Sequence, residues 1–220
     1  DYPSDTFSGR GIVIVAGGKY IEPALVMIKM LRRLGCTLRI QVWHLGQHEM
    51  TAAHRALLQP YSVETRNFED FVGPEALTPI EANVGLRLFQ LKPLALLHSD
   101  LNEILLLDSD NCPIRDPSYL FDDHEFQKVG TAFWPDFWKT STQNPIWKII
   151  GGFDLDTADQ GWEQESGQLL LKKSVAWTAI NLAVHLNSDF YMKLLNGDKD
   201  TFRFSWLAAG IPFIMISTWP

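Results

Sequence analysis

Along the chain, short unbroken apolar runs alternate with stretches in which apolar residues return every three or four positions. Gly11 to Ala16 (GIVIVA), Leu38 to His44 (LRIQVWH) and Glu103 to Leu107 (EILLL) read as strands. Strands of a parallel sheet covered on both faces lose the polar alternation of half-exposed ones. Val63 to Phe68, Val129 to Trp134, Leu169 to Leu171 and Ile211 to Ile216 are further strands. Between them, a helix opens at Pro23, carries Leu25, Ile28, Leu31 and Leu34, and stops at Gly35. Thr51 caps a second helix to about Leu58. A loop over Gly73 to Ala82 leads to a helix from Leu86 to Leu97, which Pro93 kinks or restarts. Pro113, Pro117 and Leu120-Phe121 indicate a turn and a short helix. A long helix runs from Val175 to about Leu195 and ends at Asn196-Gly197, and Asp198 caps a last one through Leu207. The alternation predicts an α/β fold, a mostly parallel central sheet with helices on both faces.

Composition narrows the function. With 220 residues, 46% hydrophobic and 20% charged, the chain suits one such domain, and it contains no internal repeat or low-complexity tract. A net charge of −7 argues against nucleic acid, whose phosphates need a basic face. No apolar run approaches the roughly 18 residues of a membrane span. Nor does the chain open with a basic stretch and apolar core of the signal-peptide kind. Cys36 and Cys112 have no metal-binding spacing and read as two buried thiols, with one disulfide the alternative.

The chemistry concentrates where EILLL runs into Asp108-Ser109-Asp110. Open α/β sheets bind ligands at the carboxyl ends of their strands. Residues two apart in an extended segment point to one side, so Asp108 and Asp110 can aim two carboxylates at one place. Oxygen ligation of that kind suits Mn²⁺ or Mg²⁺, with substrate phosphates completing the shell. The competing reading is a solvated acidic turn. The first strand ends in Ala16-Gly17-Gly18, where backbone can approach a ligand closely, although neither a P-loop nor a G-x-G-x-x-G pattern is present. Arg87 and Lys92 precede the acidic strand and are candidate phosphate partners, or else solvated cations. Trp134, Phe137, Trp138 and Trp147 with Asp136 and Lys139 form a segment that can stack on sugars or simply pack. Trp162 to Gln168 is polar and precedes a strand, which suits a substrate floor. Asp198 and Asp200 read most simply as helix-capping acids.

The order of these features resembles the retaining GT-A glycosyltransferases, above all the fungal Golgi alpha-mannosyltransferases of glycosyltransferase family 71. The resemblance rests on Gln41-Val42-Trp43-His44, Arg87 to Pro93, Ile104 to Asp110, Asp116 to Phe121, Glu165 to Gln168 and Gly197 to Phe202. Glycogenin and bacterial galactosyltransferases of the same fold are similar more loosely. The likeness implies one GT-A catalytic domain over residues 1–220, a GDP-mannose donor and a bridging Mn²⁺ (or Mg²⁺). It implies that Asp108 and Asp110 hold the metal. Ala16, Gly17, Gly18, Arg87, Lys92, Asp108 and Ser109 would bind the nucleotide, and Glu165, Gln168 and Asp200 would flank the anomeric carbon. A covalent route would need a carboxylate there. The acceptor would be a mannoside or an N- or O-glycan, in alpha-1,2 or alpha-1,3 linkage.

Relatives of this fold complete the metal site with a C-terminal His, and the last His here is His185. The expectation is that this ligand lies beyond Pro220, and that a Golgi type II membrane anchor precedes Asp1. Two other readings remain, a UDP-sugar transferase of the glycogenin kind and a catalytically silent sugar- or nucleotide-binding module. A nucleotidyltransferase is set aside, because the first turn lacks the Gly-rich, Arg-containing run that grips a triphosphate.

Overall fold

The computed structural model describes residues 2–72, 87–151, 161–187, 194–195 and 198–217, with backbone alone for 87–90 and 198. The loop expected over 73–82 and the helix stop at 196–197 lie outside the described residues. Among the described residues seven strands form one sheet: β1 (Arg10–Val15), β2 (Arg39–His44), β3 (Val63–Asn67), β4 (Glu103–Leu107), β5 (Thr131–Pro135), β6 (Gln164–Lys172) and β7 (Ile214–Met215). Their order is β3-β2-β1-β4-β6-β5-β7. β3, β2, β1 and β4 are mutually parallel, and β7 is parallel to β5. β6 runs antiparallel to both β4 and β5. The sheet is therefore mostly parallel, as expected, with one reversed strand that the sequence did not reveal.

Helices cover both faces. α1 (Ile21–Arg33) buries Ile21, Ala24, Met27, Ile28 and Leu31 against Ile12, Ile14, Leu105 and Leu107. Gly35 takes φ 88 just past its end, a conformation costly for a side chain. α2 (Ala52–Leu58) starts at the Thr51 cap, whose Oγ1 accepts from His54 N–H at 3.2 Å. α3 (Arg87–His98) continues through Pro93 without breaking and packs Leu91, Ala95 and Leu96 on the other face. There it meets α6 (Lys173–Leu186) and α7 (Asp198–Ala209), which bury Ala176, Ala179, Ile180, Phe202 and Trp206.

Several expected boundaries are corrected. Val129 ends α4 (His124–Val129) instead of beginning a strand, and Gly130 at φ 83 turns the chain into β5. α5 (Ile146–Ile150) follows the aromatic segment. The polar stretch before Leu169 is itself strand, since β6 starts at Gln164. α6 ends at Leu186, not near Leu195: the Asn187 amide caps the Ala183 carbonyl at 2.9 Å and also reaches Thr201 Oγ1 at 2.6 Å. The last strand is confined to Ile214–Met215. Cys36 is buried as expected, but Cys112 is exposed, and both are free thiols. Among the described residues no helix is long and apolar enough to cross a membrane.

Candidate active site

The chain passes from β1 outward to β2 and β3, then returns to β4 on the other side of β1. That reversal opens a crevice beyond the carboxyl ends of β1 and β4, where α/β sheets bind ligands. Ile14 of β1 pairs in register with Leu107 of β4, so Gly17 and Asp110 each lie three residues beyond the same rung. The antiparallel β6 brings Glu165 to Gln168 to this edge as well, with Leu107 opposite Gln168.

The acidic turn is fastened by Gly167. Asp108 N–H donates to the Gly167 carbonyl at 2.8 Å, and the Asn111 amide donates to the same oxygen at 2.5 Å. Asn111 N–H closes the turn on the Asp108 carbonyl at 3.1 Å. Gly167 N–H in turn donates to Glu165 Oε1 at 2.8 Å. Ser109 is buried by the turn, and Asp110 is exposed at its tip. From α3, the buried Lys92 ammonium lies 2.7 Å from Asp108 Oδ1 and donates to Ser166 Oγ at 3.3 Å.

Charge at this place is unbalanced. Burial pushes the Asp108 carboxyl above its ordinary range; Lys92 pulls it down, while the nearby Asp110 and Glu165 charges push it up further. Asp110 makes no hydrogen bond or ion pair with the described residues. Three acids sharing one edge, with Lys92 against one of them, form a pocket of negative potential that a cation relieves. Among the described residues no three His, Cys, Asp or Glu side chains gather closely enough to hold a metal alone. The expected pair of carboxylates remains, which is what a hard ion uses when phosphates supply further oxygens.

The other expected site residues separate. Ala16, Gly17 and Gly18 form the β1 turn, where Ala16 N–H donates to Trp43 O and Gly18 N–H to Glu49 O, each at 2.9 Å. Arg87 opens α3, and its side chain is outside the described residues. Gln168 faces away from Lys92 and, with Asn111 and Trp134, lines a cavity of about 180 Å³ on the α1 side of the sheet. Asp200 is fully buried in the first turn of α7. That turn is tied to the same sheet edge by Lys199 with Asp136 and by Arg203 with Glu163 at 3.0 Å. Of the aromatic segment, Trp147 is core, donating to Ser141 O at 3.0 Å, and the Trp138 indole donates to Asp136 at 2.9 Å. Phe137 and Trp162 are exposed, with Lys139 over the Trp162 ring at 4.9 Å.

Sequence reasoning placed Glu163 and Ser166 in the polar segment without assigning them a role, and it missed Asn111, Arg203 and Glu49. Asn111 had a signal, adjacency to Asp110. The others reach this edge through contacts distant in sequence, which no local pattern announces.

Comparison with known proteins agrees with this geometry. The mannosyltransferase family model Mannosyl_trans3 matches residues 9–161. The Saccharomyces cerevisiae "Alpha-1,2-mannosyltransferase MNN2" is 28% identical over 98% of this chain and 43% of its own length. The Candida albicans "Alpha-1,2-mannosyltransferase MNN24" is 28% identical over 94% of this chain and 34% of its own. The chain thus spans less than half the length of these curated relatives. Among solved structures, an active-site mutant of the galactosyltransferase LgtC superposes with a TM-score of 0.62 at 19% identity, covering 88% of this chain and 69% of that one. The fold is that of the GT-A glycosyltransferases, and the chain belongs to the Mannosyl_trans3 family of mannosyltransferases.

Proposed function

We propose that this chain is the catalytic portion of a retaining, metal-dependent mannosyltransferase that moves mannose from GDP-mannose to a mannoside or glycan acceptor. The observation that carries the reading is the crowding of three acids, Asp108, Asp110 and Glu165, at the β1/β4 crevice with Lys92 against one of them. Its family membership points the same way. The relatives' names favour an alpha-1,2 linkage.

The residues present fit a divalent ion. Asp108 is strained by burial and by two like charges, and Asp110 is exposed without a partner among the described residues. Asp108 and Asp110 would hold Mn²⁺ or Mg²⁺, which when bound neutralises charge on a departing diphosphate. The chain's own groups prepare this place. Lys92 fixes Asp108 through its Oδ1. Gly167 and Asn111 hold the turn rigid, so that little reorganisation accompanies binding. Glu165 stands beside the acidic pair and is the best-placed carboxylate to meet an anomeric carbon. Asp200, in a helix turn fastened to the same edge, and Gln168 complete the candidate set. The reading extends to the Golgi lumen as the site of action and to a type II anchor preceding Asp1.

The test is turnover of GDP-mannose by the full-length protein, with and without an α-mannoside acceptor, in Mn²⁺ and in EDTA. Release of GDP that needs Mn²⁺ and acceptor, with an α-linked product, is expected. Consumption of UDP-sugars with GDP-mannose untouched would sink the donor assignment. Tight nucleotide binding with no turnover under any condition would make the protein a silent binding module.

A further inference from the structure

At the end of β1 the bare α-carbon of Gly17 is covered by a side chain from the loop after β2. A Cβ placed on Gly17 would lie 2.8 Å from the Glu49 Cβ and Cδ, and nearer still to its Oε2. Glu49 therefore puts its carboxylate where a side chain at position 17 would otherwise project. The turn's own polar groups are largely engaged. Ala16 and Gly18 donate to Trp43 and Glu49 carbonyls, and the Gly17 carbonyl accepts from Tyr20 N–H at 3.1 Å. Glu49 is anchored by Leu45 N–H donating to Oε2 at 2.9 Å, and its main-chain carbonyl accepts from Gly18. Its Oε1 has no hydrogen-bond partner among the described residues, and the side chain is partly exposed. The β1 side of the crevice thus presents an acceptor, held rigidly, beside the turn where backbone was expected to approach a ligand.

A carboxylate accepts hydrogen bonds and repels phosphate, so its partner on a nucleoside diphosphate is an N–H or O–H group. Guanine has two adjacent donors, the N1–H and the exocyclic amino group, which match the two oxygens of one carboxylate. Uracil offers a single N–H flanked by carbonyls that a carboxylate repels. Given the donor proposed above, on which this step rests, we propose that Glu49 determines base specificity: its carboxylate accepts from the N1–H and amino group of guanine and so selects GDP over UDP. Gly17 is then required because any side chain there would displace the reading group.

The experiment is calorimetric binding of GDP, inosine diphosphate, 3′-deoxy-GDP and UDP to the full-length protein with Mn²⁺. It is repeated for Glu49→Gln and Gly17→Ala. Inosine diphosphate lacks only the amino group. Wild type should prefer GDP over it by roughly tenfold to a hundredfold, the range for a hydrogen bond to a charged group. Glu49→Gln keeps an acceptor for Leu45 N–H, so the loop stays folded, yet the preference should fall to about twofold. Gly17→Ala should give the same loss by moving Glu49 aside. An unchanged ratio in Glu49→Gln overturns the assignment while leaving the donor reading intact. So does a penalty for 3′-deoxy-GDP that Glu49→Gln abolishes, which would make the ribose the partner. Preference of wild type for UDP, or binding of neither nucleotide, removes the donor reading and the assignment with it.

Discussion

Both edges of the sheet carry acids, but only the carboxyl edge leaves a group of them crowded. At the amino edge, Arg39 grips Glu64 at 2.9 Å and Asp100 at 3.0 Å, and Arg66 adds a second cation to Glu64 at 2.9 Å. Gln41, Ser99 and Asp100 link this network inward, and Arg10 bridges Glu103 and Asp122 at 3.1 and 2.7 Å. Glu64 is held below the ordinary carboxylate range by Arg39 above all, and Asp100 lies below it despite its burial. At the carboxyl edge Asp108 is pushed the other way. A fold that satisfies its acids at one end and crowds three at the other has not run short of cations, and the crowding fits the divalent ion proposed for that end. Natural sequences break local rules at functional sites in this manner.

The largest effect on stability is expected where the carboxyl edge does pair its acids. Glu163 is fully buried and held by Arg203, itself buried, at 3.0 Å, with Thr140 N–H donating to the same oxygen at 3.2 Å. Arg203→Leu leaves a buried carboxylate without its cation, which costs about 3–5 kcal/mol. Urea unfolding of the two proteins measures it. A loss below about 1 kcal/mol would show that water reaches Glu163 and that α7 is not anchored there as described.

Next comes activity without stability. Asp110 sits at the tip of its turn, exposed, so Asp110→Ala should leave the urea midpoint nearly unchanged. Mannosyl transfer should fall by about a hundredfold to a thousandfold, the scale of removing one group that stabilises developing charge. The paired measurement sharpens the contrast, because Arg203→Leu should show stability loss first. Retention of most activity by Asp110→Ala would remove the acid turn from the chemistry.

What could be read from the sequence follows from how local each signal is. The β4 run and its two aspartates lie in one stretch of chain, and hydrophobic pattern plus spacing placed them correctly at a strand's carboxyl end. β6 was half missed because its first residues, Gln164 to Gln168, are polar or glycine in an otherwise apolar strand and so lack the hydrophobic pattern by which strands are recognised. α4 was missed because six residues give less than two turns of periodicity. Lys92 was found as a candidate, but its 2.7 Å contact with Asp108 was not, because it is set by how α3 packs on the sheet. The Glu49 approach to Gly17 had no signal, since a glycine's need is visible only with its neighbour in place.

A third effect tests the amino edge through pH. Lys173 is fully buried, donates to the Leu97 carbonyl at 3.2 Å and to the Ser99 carbonyl, and lies 3.7 Å from the Phe7 ring centre. It closes the carboxyl end of α3, the helix that delivers Lys92. Burial brings its pKa from 10.5 to about 7, with Asp100 opposing. The unfolded chain therefore binds more protons than the folded one between those values, so stability rises with pH through the window and is lost as pH falls toward 7. The slope is at most about 1.4 kcal/mol per pH unit. Lys173→Met should flatten the thermal-melting profile between pH 7 and 9 relative to wild type, and an identical slope in both proteins would place the titration elsewhere.

The smallest effect is the most direct comparison of the edges, one charge removed from each. Glu64→Gln gives up a bidentate pair with Arg39 and a contact from Arg66, with bonds of 2.9, 3.0 and 2.9 Å. Part-exposed pairs of this kind contribute about 0.2–1 kcal/mol, so the variant should be less stable by that amount. Asp110→Asn gives up no pair with the described residues and relieves repulsion on Asp108, so in the absence of metal it should be as stable as wild type or more so, by up to about 0.5 kcal/mol. Added Mn²⁺ should then reverse the ranking, because binding to the folded wild type stabilises it in proportion to occupancy and the variant has lost a ligand. The sign of that reversal, read by thermal melts with and without the ion, decides between an acidic turn kept for a cation and one that is merely solvated. Equal responses of both proteins to Mn²⁺ would favour the solvated turn.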